Sequence, residues 1–346
     1  MNGAGRGMRQ PRACSLQATG SRAATPRRRL LKDMNSMKDC PVPAVPPRLK
    51  AGDRVAIAAP ARKISPAELE PALRLLEAWG LEVVLPDHLF DADHQMAGSD
   101  EVRARVLQGL LDDPEVKAIF CARGGYGTVR IVDRLDFSRF ARSPKWIVGY
   151  SDITVLHCHV HSRVNVATMH ATMPIDIGPE AVGQHTAATE TLRRMLWGET
   201  MQYRCRSHPL NRFGTAEGLL VGGNLSILYS LTGSASDVDT EGKILFIEDL
   251  DEYLYHVDRM MMNLKRSGRL AGLAGLVVGA MSGMHDNAVG FGRTAEQIVA
   301  DAVAEYGYPV CFGFPAGHIG DGNCALAMGC RARLGVEGDA ELLFAP

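Results

Sequence analysis

Between residues 54 and 163 the chain alternates short apolar runs with stretches of helical period, and this alternation restricts the fold more than any other feature. Arg54–Ala59 (RVAIAA), Leu81–Leu85 (LEVVL), Val116–Cys121 (VKAIFC) and Trp146–Gly149 (WIVG) read as buried strands. Residues 66–79 carry apolar side chains at helical spacing, with Ser65 as N-cap and Gly80 as the stop. Residues 100–112 form a second helix, residues 128–134 begin a third, and another starts just after Ser151. Strands alternating with helices imply a parallel sheet, whose ligand sites lie at the carboxyl ends of its strands. Two turns fall at such ends, Arg123–Gly127 and Gly149–Asp152.

The pattern changes near residue 171. Residues 171–213 are mixed, with a helix near 185–197. Ala216–Val221, Lys243–Ile247, Gly275–Gly279 and Ala340–Phe344 read as short strands, with helices near 253–266 and 293–305. The chain therefore divides into an extension (1–48), a parallel-sheet domain (49–170), a linker (171–212) and a second, more mixed domain (213–346). The extension ends in Pro41–Pro47 (PVPAVPP), which fits neither helix nor central strand. Residues 1–32 hold eight basic residues, no acidic one and no apolar core of the kind a secretory signal needs. They read as a transit peptide, a disordered basic arm, or sequence ahead of a true start at Met34 or Met37.

Composition excludes several function classes. A formal net charge of −1 and 6 % aromatic residues give no case for nucleic acid or an anionic membrane surface. No run approaches the roughly 18 apolar residues that a membrane span requires. The eight cysteines are scattered without a CxxC pair, which fits free thiols in a reducing, cytoplasmic setting and argues against a structural metal site.

Four segments carry candidate chemistry. Gly149-Tyr150-Ser151-Asp152 places a serine on a strand-to-helix turn, where the next backbone N–H and the helix dipole favour an oxyanion. The G-x-S-x-G pattern is incomplete, because Ile153 stands at its last position; the alternative is that Ser151 or Asp152 only caps the helix. Arg123-Gly124-Gly125-Tyr126-Gly127 lets backbone N–H groups approach a ligand closely, but has neither the Walker lysine nor a G-x-G-x-x-G spacing. Glu248-Asp249 follows an apolar strand, as an acid orienting a histidine would, or as a solvated turn would. His318 lies on a loop of small residues. His157 and His161 sit one helical turn apart, yet no acidic or cysteine partner has a metal-site spacing.

In this order the segments resemble the LD-carboxypeptidase family of serine peptidases, which includes murein tetrapeptide carboxypeptidases and microcin-immunity hydrolases. The resemblance runs from about Gly52 to Leu334 and rests on Arg123–Gly127, Gly149–Thr154, Gly222-Gly223-Asn224-Leu225, Glu248-Asp249 with Asp258-Arg259-Met260, and Gly317-His318. It implies a flavodoxin-like α/β domain bearing the nucleophile, followed by a partly barrel-like domain bearing acid and base. Ser151 would be the nucleophile, Glu248 the triad acid and His318 the general base. Backbone N–H groups of Asp152 and of Gly124 or Gly125 would hold the oxyanion, with Asn224 and Arg123 on the substrate. The implied activity releases D-alanine from cytoplasmic murein tetrapeptides in peptidoglycan recycling, with no metal or cofactor, in a homodimer. The family's other substrates, aminoacyl-nucleotide antibiotics, and a non-catalytic binding cleft are the alternatives. The segment Ile319–Met328 (IGDGNCALAM) departs from the murein enzymes.

Overall fold

The computed structural model describes residues 43–181 and 186–344. Most of the extension expected over residues 1–48 lies outside the described residues. Its last part is tied down: Ala44 pairs with Val166, and the Trp146 indole N–H donates to the Pro47 carbonyl at 3.0 Å.

The first half runs β1 (Arg54–Ala58), α1 (Pro66–Ala78), β2 (Glu82–Val84), α2 (Asp100–Asp112), β3 (Val116–Cys121), α3 (Ser138–Arg142), β4 (Trp146–Gly149), α4 (Thr154–Arg163) and β5 (Thr168–His170). These strands form a sheet in the order β5–β4–β3–β1–β2, all parallel. The expected α/β parallel sheet is present. Helix α1 starts where the sequence placed it. Ser65 Oγ accepts the Glu68 N–H while the Glu68 carboxylate accepts the Ser65 N–H, and Leu69, Ala72, Leu75 and Leu76 face the core.

The second half runs α5 (Ala187–Leu196), β6 (Gln202–Cys205), β7 (Gly214–Asn224), α6 (Leu225–Leu231), β8 (Ile244–Leu250), α7 (Leu254–Arg266), β9 (Gly275–Ser282), α8 (Ala295–Ala302), β10 (Val310–Cys311), β11 (Leu326–Met328), β12 (Arg331–Val336) and β13 (Ala340–Phe344). The second sheet has the order β10–β9–β8–β7–β12–β13–β6, parallel on the β10 side of β7 and antiparallel on the other. Arg212, two residues before β7, exchanges both backbone hydrogen bonds with Val310 of β10 at 3.0 Å. Strand β11 leaves this sheet and pairs antiparallel with β5 of the first. The segment 171–212 holds α5 and edge strand β6 rather than irregular chain alone.

Two elements differ from expectation. Residues 128–134 form two short 3-10 turns, Thr128–Arg130 and Val132–Arg134, because Gly127 turns the chain at φ 136° and a side chain takes the Thr128 N–H. Strand β8 runs on to Leu250, so Glu248 and Asp249 are strand residues: Glu248 pairs with Asn224, and Asp249 with Met281.

Helix α4 lies between the sheets, packing on β4 and β5 on one side and on β7 and α6 on the other. Every residue from Thr154 to Val160 is buried, so the helix shows no single apolar stripe. His157 Nε2 donates to the Gly149 carbonyl at 2.9 Å, and burial lowers its pKa to about 4. His161 Nε2 meets Thr168 Oγ1 at 3.1 Å, and burial lowers its pKa to about 3. The helical spacing of the two histidines is real, but His157 is a core group and His161 a partly buried one bonded to Thr168. Among the described residues no group of three or more His, Cys, Asp or Glu is placed to hold a metal ion.

His170, at the end of β5, is 0 % exposed and has no hydrogen-bond partner on either ring nitrogen among the described residues. Its ring lies between Tyr150 (5.6 Å) and Phe246 (4.9 Å), and burial holds its pKa well below 6.5. Below pH 6.5 the unfolded chain binds a proton here that the native state refuses, so this histidine destabilises the fold as pH falls. His170→Phe should therefore gain on wild type by about 1.4 kcal/mol for each pH unit below roughly 6. Urea denaturation of both proteins from pH 7.5 to 5 tests this, and parallel stability curves would refute it.

Candidate active site

Ser151 stands where β4 gives way to helix, with φ at +62°. A left-handed backbone at a non-glycine residue costs about 1–3 kcal/mol and persists only where neighbours fix it. Ile153 explains the missing glycine. Gly149 has no side chain, and a Cβ there would lie 2.9 Å from Ile153 Cγ1, so the turn is closed by Ile153 packing over Gly149.

The glycine-rich turn after β3 lies against this serine. A Cβ on Gly124 would fall 3.0 Å from Ser151 Cβ and 3.2 Å from its Oγ, so only glycine admits the approach. Asp152 pins the turn from the other side. Its carboxylate is 1 % exposed and accepts the Thr128 N–H at 2.9 Å. Burial raises its pKa, against the pull of the Thr128 and Gly127 N–H groups and of Arg103. Arg103, buried on α2, donates to the carbonyls of Gly127 (3.0 Å) and Pro60 (2.6 Å), which locks the loops after β1 and β3 together. Sequence reasoning passed over Arg103, although its spacing to Leu107 and Leu110 puts it on the buried stripe of α2.

The second sheet supplies the acid and the imidazole. Glu248 is 0 % exposed and its Oε2 accepts from His318 Nδ1 at 2.6 Å. Burial disfavours the charged His318 ring, but the Glu248 hydrogen bond and charge outweigh it and hold the pKa above 6.5. The bond needs Gly317: its φ is +108°, and a Cβ there would lie 2.7 Å from Glu248 Oε2. The Gly317 N–H donates to Asn323 Oδ1 at 2.8 Å and Ser282 Oγ donates to the His318 carbonyl at 2.8 Å, which fixes the loop. Tyr150, next to Ser151, packs its ring against that of His318, with centroids 4.8 Å apart and the planes tilted by 55°. The structure thus brings Glu248 and His318 into one hydrogen-bonded pair beside the serine turn. No hydrogen bond joins Ser151 to His318 among the described residues.

Asp249 points to the opposite face of β8. Its carboxylate accepts from the Asn224 amide (3.0 Å), the Ser226 N–H (2.8 Å) and the Leu250 N–H (2.8 Å), while burial lifts its pKa to about 7. Asn224 is 4 % exposed and its side-chain oxygen accepts from Ser226 Oγ and the Ile227 N–H. Its backbone N–H donates to Thr154 Oγ1 at 3.0 Å, which joins the two sheets at the site. Arg123 is partly buried, with Glu68 at 3.6 Å and the Lys63 carbonyl at 3.5 Å, and its charge also acts on the Asp176 carboxyl. Gly125 is exposed, with φ +102°.

A strained, glycine-flanked serine on one sheet, facing a buried carboxylate–imidazole pair from the other, is the arrangement of an α/β hydrolytic enzyme. The chain is a peptidase of the LD-carboxypeptidase family. Residues 55–171 match the family's N-terminal domain and residues 217–334 its C-terminal domain. It is 40 % identical over 297 residues to a Bacillus subtilis protein named "Probable murein peptide carboxypeptidase", covering 84 % of this chain and 91 % of the relative. It is 30 % identical to the murein tetrapeptide carboxypeptidase of Pseudomonas aeruginosa, over 77 % of this chain and 88 % of that protein. Among solved structures, a muramoyltetrapeptide carboxypeptidase from Oxalobacter formigenes superposes with a TM-score of 0.75 at 27 % identity, covering 85 % of this chain and 99 % of the other. The microcin C7 self immunity protein MccF, in complex with aspartyl sulfamoyl adenosine, shares the fold with a TM-score of 0.77 at 20 % identity, over 88 % and 99 %.

Glu248→Gln should remove the charge that raises His318 and drop its pKa below the wild-type value. Imidazole chemical shifts followed across pH 5–9 measure this directly. Equal titrations in both proteins would show that the pair does not control the ring.

Proposed function

We propose that the protein is a serine carboxypeptidase that cleaves the L,D-peptide bond of murein tetrapeptides and releases terminal D-alanine. The observation that carries the reading is the buried Glu248–His318 hydrogen bond of 2.6 Å, set beside the serine turn through Tyr150. The murein peptide names of the relatives support the substrate class. The cytoplasmic, homodimeric recycling enzyme implied by the resemblance belongs to the same reading.

His318 Nε2 takes the Ser151 proton as Oγ attacks the scissile carbonyl, and substrate closes the serine–histidine contact that the free site leaves open. Glu248 holds the Nδ1–H tautomer and stabilises the imidazolium. The strained turn presents the Asp152 N–H, and the close approach of Gly124 brings a second donor toward the oxyanion, each worth roughly 10²–10³ in rate. The imidazolium then protonates the leaving amine, and water activated by His318 hydrolyses the acyl-enzyme. Asn224 acts here as a positioning residue, because its amide is committed to Asp249 and the α6 terminus.

D-Alanine release from a purified tetrapeptide should be measurable in wild type and fall by roughly 10⁴–10⁶ in Ser151→Ala. The kcat/KM profile of wild type should rise with pH through an apparent pKa above 6.5, because only neutral His318 accepts the proton. Undiminished release by Ser151→Ala would overturn the nucleophile assignment. Absence of release by wild type, with turnover of an aminoacyl-nucleotide, would move the substrate class to that of the immunity proteins.

A further inference from the structure

A carboxypeptidase must recognise the free carboxylate of the residue it releases, and Arg123 is poorly placed to do so. Its guanidinium is already engaged by carboxylates of the protein, Glu68 at 3.6 Å and the nearby Asp176. Arg62, just after β1, offers the better cation. Its side chain lies along Gly125: a Cβ on that glycine would meet Arg62 Cδ, with Arg62 Cγ at 2.9 Å and Nε at 3.0 Å. Gly125 follows Gly124, which touches Ser151. The guanidinium is held by Gln95 Oε1, at 3.3 Å from Nε and 3.1 Å from Nη2, and Arg62 has no carboxylate partner among the described residues.

The backbone around Arg62 is equally fixed. Arg103 donates to the Pro60 carbonyl, Ala97 N–H to the Ala61 carbonyl (3.1 Å) and Lys63 N–H to the Gln95 carbonyl (3.1 Å). So an exposed cation is held rigidly on the border of the loop that flanks the serine. In an exopeptidase substrate only the leaving nitrogen and one Cα separate the scissile carbonyl carbon from the terminal carboxyl carbon, a span of roughly 4 Å or less. A carboxylate bound at such a distance lies close to Ser151, and the Gly124–Gly125 loop packed on that serine is one wall against which it can sit. Arginine suits it, with parallel N–H donors that match a carboxylate.

We infer that Arg62 is the specificity-determining residue that binds the terminal carboxylate of the departing amino acid, and so restricts the enzyme to exopeptidase cleavage. The inference rests on the proposed carboxypeptidase reading. Ser151→Ala protein is titrated by calorimetry with the D-alanine-terminated tetrapeptide and with its C-terminal amide, with and without Arg62→Gln. The free acid should bind roughly 10- to 100-fold more tightly than the amide when Arg62 is present, and this preference should collapse in Arg62→Gln. In active enzyme the loss should appear mainly in KM, while a fluorophosphonate, which carries no carboxylate, labels Ser151 at the wild-type rate in Arg62→Gln. An acid-over-amide preference that survives Arg62→Gln, and disappears instead in Arg123→Gln, overturns the inference and leaves the function standing. A tetrapeptide that is neither bound nor cleaved overturns both.

Discussion

A carboxylate with no exposed surface survives in a protein only when its charge is answered. Glu248 is answered by His318, and much of the second sheet is arranged so that this one bond can form. Strand β8 carries the acid past the point where an acidic turn would have begun, held by β7 on one side and β9 on the other. Gly317 gives up its side chain so that the imidazole can close on the carboxylate, and Ser282 and Asn323 hold the loop in place. Glu248 Oε1 has no hydrogen-bond partner among the described residues, so the imidazole alone answers the acid. Glu248 is the main support of the proton affinity of His318, with the charges of Asp249 and Asp176 adding to it.

The first sheet answers a different demand, the placing of a strained serine against a backbone. Here the determinants are buried ions used as struts. Asp152 takes the Thr128 N–H, and Arg103 takes two carbonyls from different loops. Neither group is exposed enough to meet a substrate through its side chain. Their effect is to make the ends of β1, β3 and β4 one rigid surface, on which Ser151, Gly124 and Arg62 keep fixed relative positions.

Much of this was legible in the sequence, and the limits have physical causes. The strands of the first sheet are near-continuous apolar runs because both faces are covered, so β1, β3 and β4 could be read almost to the residue. The Ser65 N-cap is a local signal and was read as such, whereas the reciprocal Glu68 bond that completes the capping box was not. The short strands were harder. β5 and β11 of the first sheet and β6 and β10 of the second have two to four residues each, too few to show a period, and they exist because partners distant in sequence pair with them. Helix α4 was legible only as a helix start, since burial on all sides erases the amphipathic pattern. The residue types Ser151, Glu248 and His318 could be singled out, but their candidacy rested on resemblance. The local sequence could not reveal that Gly317 is what admits the acid, nor that Arg62 lies over Gly125, because both are contacts between separate loops.

Strand β11 has a mechanical consequence. It is hydrogen-bonded into the first sheet, and two residues later the chain enters β12 of the second. A covalent splice this short across the gap between the sheets leaves little slack for a hinge. Large-amplitude opening would have to unzip the β5–β11 ladder, a partial unfolding rather than a breathing motion. Access to the serine would then rest on side chains and rim loops rather than on domain movement.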